Sequence, residues 1–214
     1  MTLELDRRRT PATPRRWRLF RDGVDGNARL TGLTAAVLLV LLAAEGLTIP
    51  LIHSQLTLHI FLGVVLIPVV VLKTATTAWR FARYYTREPS YLEKGPPPAL
   101  LRVLVAPLVV ASTAVLFGTG VLLIALHPQR GLLLGLHKAS FIVWFAAMTA
   151  HVLGHLLKLP GLVRADVDRK LPGSRLRQLA VAGAIVVGLV AAVAILPLAH
   201  TWVHWAGLHH HHDG

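Results

Sequence analysis

Cysteine is absent from this chain of 214 residues. Without thiols the protein has no disulfides, no thiolate metal sites and no iron–sulfur clusters held by cysteine. Charged residues are also scarce: they make up 15% of the chain, whereas soluble domains carry roughly 25%. Acidic residues are the rarer sign, with 10 Asp and Glu against 22 Lys and Arg, and the net charge is +12. These shortages point away from a soluble enzyme.

The chain is rich in long apolar segments. Hydrophobic residues make up 54% of the chain, and the mean hydropathy is +0.60. They concentrate in five blocks, at 30–51, 56–79, 100–126, 132–157 and 178–199. Each block reaches the about 20 residues that an α-helix needs to cross a hydrocarbon core about 30 Å thick. The sequence therefore predicts an all-α polytopic membrane bundle of five transmembrane helices, and it excludes a disordered chain.

Basic residues lie almost entirely on one side of this predicted bundle. The stretches 7–29, 80–102 and 158–177 hold every Lys and Arg except Lys73, Arg130 and Lys138. Because positive charge collects on the cytoplasmic side, we expect a cell-membrane protein with its N-terminus inside and its C-terminus outside. The charge is therefore a topology signal and gives no reason to expect a nucleic-acid partner. The expected partner is the lipid bilayer, whose anionic headgroups the basic tail can contact.

Composition divides the chain into three segments. Residues 1–28 form a basic cytoplasmic tail, residues 29–205 form the membrane domain, and residues 206–214 form a His-rich external tail. A very short connection around Pro50 joins the first two spans, so we expect these spans to form a tight hairpin.

Histidines inside the predicted spans are the main functional signal, because hydrocarbon makes ionisable side chains costly. His59 in span two and His137 in span four lie at matching depth near the external surface, on spans that run in the same direction. Two imidazoles from facing helices are what a six-coordinate b-type haem needs. We therefore interpret His59 and His137 as axial ligands of an outer haem b. The alternative is that each histidine only hydrogen-bonds a neighbouring helix.

A second, inner haem is a further hypothesis, based on His151. This residue follows His137 by 14 positions, so both lie near one face of the helix, with ~21 Å between them along the axis. At the corresponding level span two supplies Lys73, which can ligate iron only as the neutral amine. Alternatively, Lys73 extends to the cytoplasmic headgroups and His151 is a polar contact. The sequence thus favours one haem b and leaves a second open.

Two stretches resemble bacterial membrane cytochromes b. Leu-His-Lys-Ala-Ser-Phe-Ile-Val-Trp-Phe at 136–145, continued by Ala-His-Val-Leu-Gly-His at 150–155, looks like the bis-histidine helix of the cytochrome b subunits of formate dehydrogenases and hydrogenases. Leu-His-Ile-Phe-Leu-Gly at 58–63 resembles the histidine-bearing second helix of these subunits. The resemblance covers roughly residues 56–157 and implies haem at His59 and His137, with His151 for a second one. Such a protein is expected to carry electrons within or across the membrane, from a quinol to a redox partner protein.

A closer resemblance, to a set of actinobacterial integral membrane proteins, says little about activity. It depends on Lys73, on Arg-Phe-Ala-Arg-Tyr-Tyr at 80–85 and on Gly-Pro-Pro-Pro at 95–98. The cytochromes b usually supply a fourth histidine, often from span one, and span one of this chain has none. The outer histidine pair is therefore the better supported of the two haem sites.

Glu45 and the external histidines carry the remaining signals. Glu45 in span one lies near the level of His59, where it either hydrogen-bonds that ring, accepts a proton from a quinol, or is an interfacial carboxylate with water access. His200 and His204 are spaced i, i+4 at the external end of span five, which can chelate a metal. The alternative function is therefore a haem-free protein that binds or transports metal ions through external histidines.

Overall fold

The architecture is a bundle of long helices. The computed structural model describes residues 23–93, 95, 99, 101–126, 131–154 and 173–209, with side chains considered as far as Leu198. The helices are α1 (Gly23–Thr48), α2 (Ile52–Tyr85), α3 (Pro89–Glu93), α4 (Ala106–Leu126), α5 (Gly131–Leu153) and α6 (Ser174–His209). A π-helical turn, Leu101–Val105, leads into α4.

Five of these helices are long and apolar enough to cross a membrane: α1, α2, α4 with its preceding turn, α5, and α6 as far as Leu198. Helices solve the main problem of a chain in hydrocarbon, because every backbone polar group within them is satisfied internally. The predicted all-α polytopic bundle of five transmembrane helices is thus confirmed, and the chain is a multi-pass membrane protein.

Local backbone features explain where α1 and α2 end. The turn between α1 and α2 contains Pro50, and backbone hydrogen bonds from Leu51 to Thr48 and from Ile52 to Ile49 close it. At the other end of α2, Arg87 has a φ of 58°, in the left-handed region where helices commonly terminate. The first two spans therefore form the tight hairpin that the sequence predicted.

Helix α2 is the centre of the packing. It packs most extensively against α6 and α1, whereas α5 packs mainly against α4. Leu66 and Val69 of α2 form a buried cluster with Leu38 of α1, and Phe117 of α4 contacts this cluster. The bundle thus consists of a three-helix group, α1, α2 and α6, against which the α4–α5 hairpin lies.

Helices α2 and α6 approach each other closely at Gly188. A Cβ atom added at Gly188 would lie 2.6 Å from the backbone oxygen of Val65, which is closer than atoms can pack. Small residues at such crossings let helix backbones come together, and van der Waals packing then holds membrane helices in contact. Glycine at position 188 is therefore a requirement of this crossing.

Polar contacts fasten α1 to α2 at the end of the hairpin remote from the turn. Asn27, which is 1% exposed, donates from Nδ2 to the carbonyl oxygen of Thr76 over 3.1 Å. The ammonium of Lys73 donates to the carbonyl oxygen of Thr31 over 3.0 Å. Helix α1 begins at Gly23, within the stretch expected to be the cytoplasmic tail, so the helical hairpin extends beyond the predicted start of the membrane domain.

Candidate functional site

Two histidines from different helix groups meet near one end of the bundle. The rings of His59 in α2 and His137 in α5 have centroids 6.4 Å apart, and their planes are nearly perpendicular, at 84°. Both side chains are half-buried. The pair therefore lies where the α4–α5 hairpin faces the three-helix group, in the position that the matched depth of the two residues predicts.

His59 is held by the last turns of α1. Its Nδ1 lies 2.9 Å from Oε1 of Glu45 and 2.9 Å from Oγ1 of Thr48. The tight turn between α1 and α2 explains this contact, because it folds the end of α1 back beside the first turns of α2. Thr48 is only 3% exposed, so the anchor of the imidazole is buried.

The hydrogen-bond pattern around Thr48 determines where His59 carries its proton. The Thr48 hydroxyl donates its one hydrogen to the carbonyl oxygen of Glu45 over 2.6 Å, so its oxygen can only accept from the ring. A carboxylate at Oε1 of Glu45 likewise accepts. The proton of neutral His59 is therefore on Nδ1, and Nε2 carries the lone pair that a metal ligand needs.

His137 is held in the same way by α4. Its Nδ1 lies 3.1 Å from Oγ1 of Thr119, and that hydroxyl donates to the carbonyl oxygens of Val115 and Leu116 over 2.8 and 3.0 Å. In the tautomer in which Nδ1–H of His137 donates to the Thr119 oxygen, Nε2 carries the lone pair. A Cβ at Gly120 would lie 3.3 Å from Cε1 of His137, so glycine there makes room for the ring.

The separation of the two rings is compatible with both of them binding one metal atom. Imidazole nitrogens bind metals at about 2 Å, so two rings that share one atom have centroids roughly 6 to 6.5 Å apart. The observed 6.4 Å lies in this range. Among the described residues, no three His, Cys, Asp or Glu come together as a metal site. A metal held in a macrocycle takes one or two imidazoles from the protein, so the chemistry of the two histidines fits haem.

Aromatic side chains continue along α5 from the histidine pair. Phe141 stacks on Trp144, with ring centroids 6.3 Å apart, and Trp144 donates from Nε1 to Oγ1 of Thr113 on α4 over 3.0 Å. Trp144 is buried, while Phe141 and Met148 are half-buried. These residues follow His137 at helical spacing, so the face of α5 that begins at the histidine is apolar and aromatic.

Lys73 and His151, the candidates for an inner haem, lie in different surroundings from the outer pair. The ammonium of Lys73 is hydrogen-bonded to the backbone of α1, whereas His151 is half-buried in the last turn of α5. Lys73 is thus directed to Thr31 and not to α5. Ligation of an inner haem by this pair stays a prediction.

The external histidines fall outside the described side chains. His200 and His204 lie in the last turns of α6, but the side chains from position 199 onward are not among those described. Metal binding by these residues and by the tail at 206–214 therefore stays a prediction.

The two threonines that contact the rings were not predicted from the sequence. Transmembrane helices commonly contain threonine, whose hydroxyl bonds the carbonyl of the preceding turn, so Thr48 and Thr119 carry no distinctive spacing. A signal does exist in hindsight: Thr48 follows Glu45 by three positions, on the same face of α1.

No family model, curated protein or solved structure matches this chain. The functional interpretation therefore depends on the geometry of the residues described above, and the resemblance to cytochromes b stays a prediction.

Proposed function

We propose that this protein is a b-type haem cytochrome of the membrane, with His59 and His137 as the axial ligands of one haem. The observation that carries the proposal is the pair of imidazoles with centroids 6.4 Å apart, each bonded through Nδ1 to side-chain oxygens. Bound haem would supply a one-electron iron couple, which makes the protein an electron carrier.

The chain's own part in this function is to hold and orient the ligands. Glu45 and Thr48 fix the ring of His59, and Thr119 fixes that of His137, so that both Nε2 lone pairs are available together. Such supporting hydrogen bonds also raise the basicity of a ligating histidine. Ligand identity, hydrogen bonding and burial are the features by which a protein sets the potential of a bound haem.

Electron exchange with a membrane quinol is the second part of the proposal. The Oε2 atom of Glu45 is buried and has no hydrogen-bond partner among the described residues. A carboxylate oxygen in this state, beside an iron ligand, can accept the proton that a quinol releases when it gives up an electron. The proposed acceptor is a redox partner protein.

Histidine variants test the haem assignment. We expect about one haem per chain, and at least a tenfold lower haem content in His59→Ala and His137→Ala, since the loss of even a supporting residue weakens metal sites by about 10- to 100-fold. The measurement is a pyridine haemochrome assay on protein expressed with haem supply and purified in detergent. A reduced-minus-oxidised spectrum should show a sharp α band.

Three control variants make the test specific. His53→Ala removes an exposed histidine from the first turn of the same helix and should keep its haem. His151→Ala should also keep it, unless the wild type holds two haems. The double variant His200→Ala/His204→Ala tests the alternative function. If the wild type is colourless and binds metal, and this variant loses the metal, the protein binds metal ions through its external histidines and is not a cytochrome.

A further inference from the structure

A second candidate site lies at the other end of α2. An open pocket is formed where the end of this helix meets α3 and the turn before α4, and its lining residues are Arg80, Phe81, Tyr84, Tyr91, Gly95 and Arg102. Arg80 follows His59 by 21 positions, which corresponds to roughly 30 Å along the helix. The pocket is therefore remote from the histidine pair.

Two arginines line this pocket without an acidic partner among the described residues. Arg80 and Arg102 are half-buried, and within the described part of the chain neither forms an ion pair. Their neighbour Arg83, in contrast, is paired with Glu88 over 3.1 Å. Two like charges at one half-buried site repel each other in the absence of an anion, so the pocket favours an anionic ligand.

The other walls of the pocket suit a ligand with both charged and apolar parts. Phe81, Tyr84 and Tyr91 are aromatic residues of the lining, and the two tyrosines also carry a hydroxyl group. Tyr91 is 6% exposed, so α3 is anchored in place by its ring. Arginine is the residue that best matches phosphate, because its planar fork of N–H donors bonds two oxygens at once.

We propose that this pocket binds a phosphate group, and that in the membrane this is the headgroup of an anionic phospholipid. Basic pockets between transmembrane helices near the cytoplasmic surface bind such headgroups. The residues that follow Arg102 support a lipid over a soluble phosphate: Val103 and Leu104 are 69% and 59% exposed. This apolar surface begins beside the guanidinium and can receive the acyl chains. The proposal is independent of haem.

Lipid binding to paired variants tests the proposal. Wild-type protein in neutral detergent is titrated with phosphatidylglycerol or phosphatidylcholine, and bound lipid is counted by native mass spectrometry. Arg80→Gln/Arg102→Gln removes both guanidinium groups. Since each basic residue near a membrane surface contributes about 1 kcal/mol to anionic lipid binding, we expect a loss of affinity for phosphatidylglycerol of about 30-fold.

A matched control removes two charges elsewhere at the same end of the bundle. Arg87→Gln/Arg175→Gln changes the net charge equally, and both residues are exposed and outside the pocket. This variant should bind phosphatidylglycerol like the wild type. Arg80→Lys/Arg102→Lys retains the charges and should recover part of the affinity, which also guards against misfolding of the Gln variant.

Three outcomes would contradict the proposal. Equal loss of affinity in both Gln variants would overturn the site, because diffuse charge would then explain binding. Equal binding of phosphatidylcholine and phosphatidylglycerol by the wild type would overturn recognition of the anion. If inorganic phosphate displaces phosphatidylglycerol at similar concentrations in the wild type only, the pocket takes phosphate without using the acyl chains, and the lipid assignment fails.

Discussion

At the scale of single residues, the proposed haem site depends on which ring nitrogen carries a proton. The hydroxyls of Thr48 and Thr119 donate to backbone carbonyls, so their oxygens can accept from Nδ1 of His59 and His137. The consequence is a pair of rings whose Nε2 lone pairs are free to bind. Two hydroxyls that bond the preceding turn of their own helices thus also contact the two imidazoles.

Glu45 gives the residue-scale prediction. Its carboxylate contacts the ring of His59 over 2.9 Å, and negative charge near the iron favours the oxidised state. Glu45→Gln should therefore raise the midpoint potential of bound haem by about 60 mV, equivalent to a tenfold change for a one-electron couple. Redox titration followed by visible absorption measures this shift.

The control for that experiment is Glu88→Gln. It removes a carboxylate that pairs with Arg83 at the far end of α2 and should leave the potential unchanged. A midpoint potential of Glu45→Gln equal to that of the wild type would contradict the role of Glu45 in supporting His59.

At the scale of the helices, the position of α2 follows from its two close neighbours. It shares buried contacts with α1 around Leu38 and with α6 around Ala192. The α4–α5 hairpin contributes fewer buried residues to these clusters. His59 is therefore part of a helix that packs closely against two neighbours. His137 belongs to the α4–α5 hairpin, whose two helices pack mainly against each other.

The α2–α6 crossing gives the element-scale prediction. Gly188→Ala would place a methyl group 2.6 Å from the backbone oxygen of Val65, and relief requires the helices to move apart. We expect a destabilisation of about 1–3 kcal/mol, the usual range for overpacking. Thermal unfolding in detergent should show a lower midpoint temperature.

Gly183→Ala is the matched control, because a Cβ at this position of the same helix meets nothing within 4 Å. This variant should unfold at or slightly above the wild-type temperature, since alanine is the better helix former. Equal stability of both variants would show that the Gly188 contact does not limit the approach of α6 to α2.

At the scale of the whole molecule, the distribution of basic residues around the five membrane-spanning helices predicts the orientation of the protein in the membrane. With the N-terminus in the cytoplasm, the connections at 80–102 and 158–177 lie inside, and His59 and His137 lie near the outer surface. The proposed phospholipid site would then face the inner leaflet.

Reporter fusions test this topology. Alkaline phosphatase joined after residue 214 should be active, because it would be exported, whereas the same enzyme joined within 159–172 should be inactive. The opposite pattern would invert the protein in the membrane and move the histidine pair to the cytoplasmic side.

The positions of the two histidines along their helices could be predicted from the sequence, but their contacts could not. The depth of His59 and His137 follows from counting along two spans, because a helix rises by a constant amount per residue. The distance between the rings does not, since it depends on how the α4–α5 hairpin lies against α2. The pocket at Arg80 and Arg102 was not predicted either, because its residues come from separate segments that only the chain's return through α3 brings together.

The amino-acid sequence is sufficient to predict the class of protein, the number of spans and the histidines within them. Hydrocarbon imposes these features, since each span must be apolar, long enough and nearly free of ionisable groups. The contacts of these groups follow from the tertiary structure instead: Glu45 and Thr48 lie at His59, Thr119 at His137, and Lys73 at the backbone of α1. Such contacts depend on the rotation and close approach of helices, which packing between small and large side chains sets and which hydropathy does not encode.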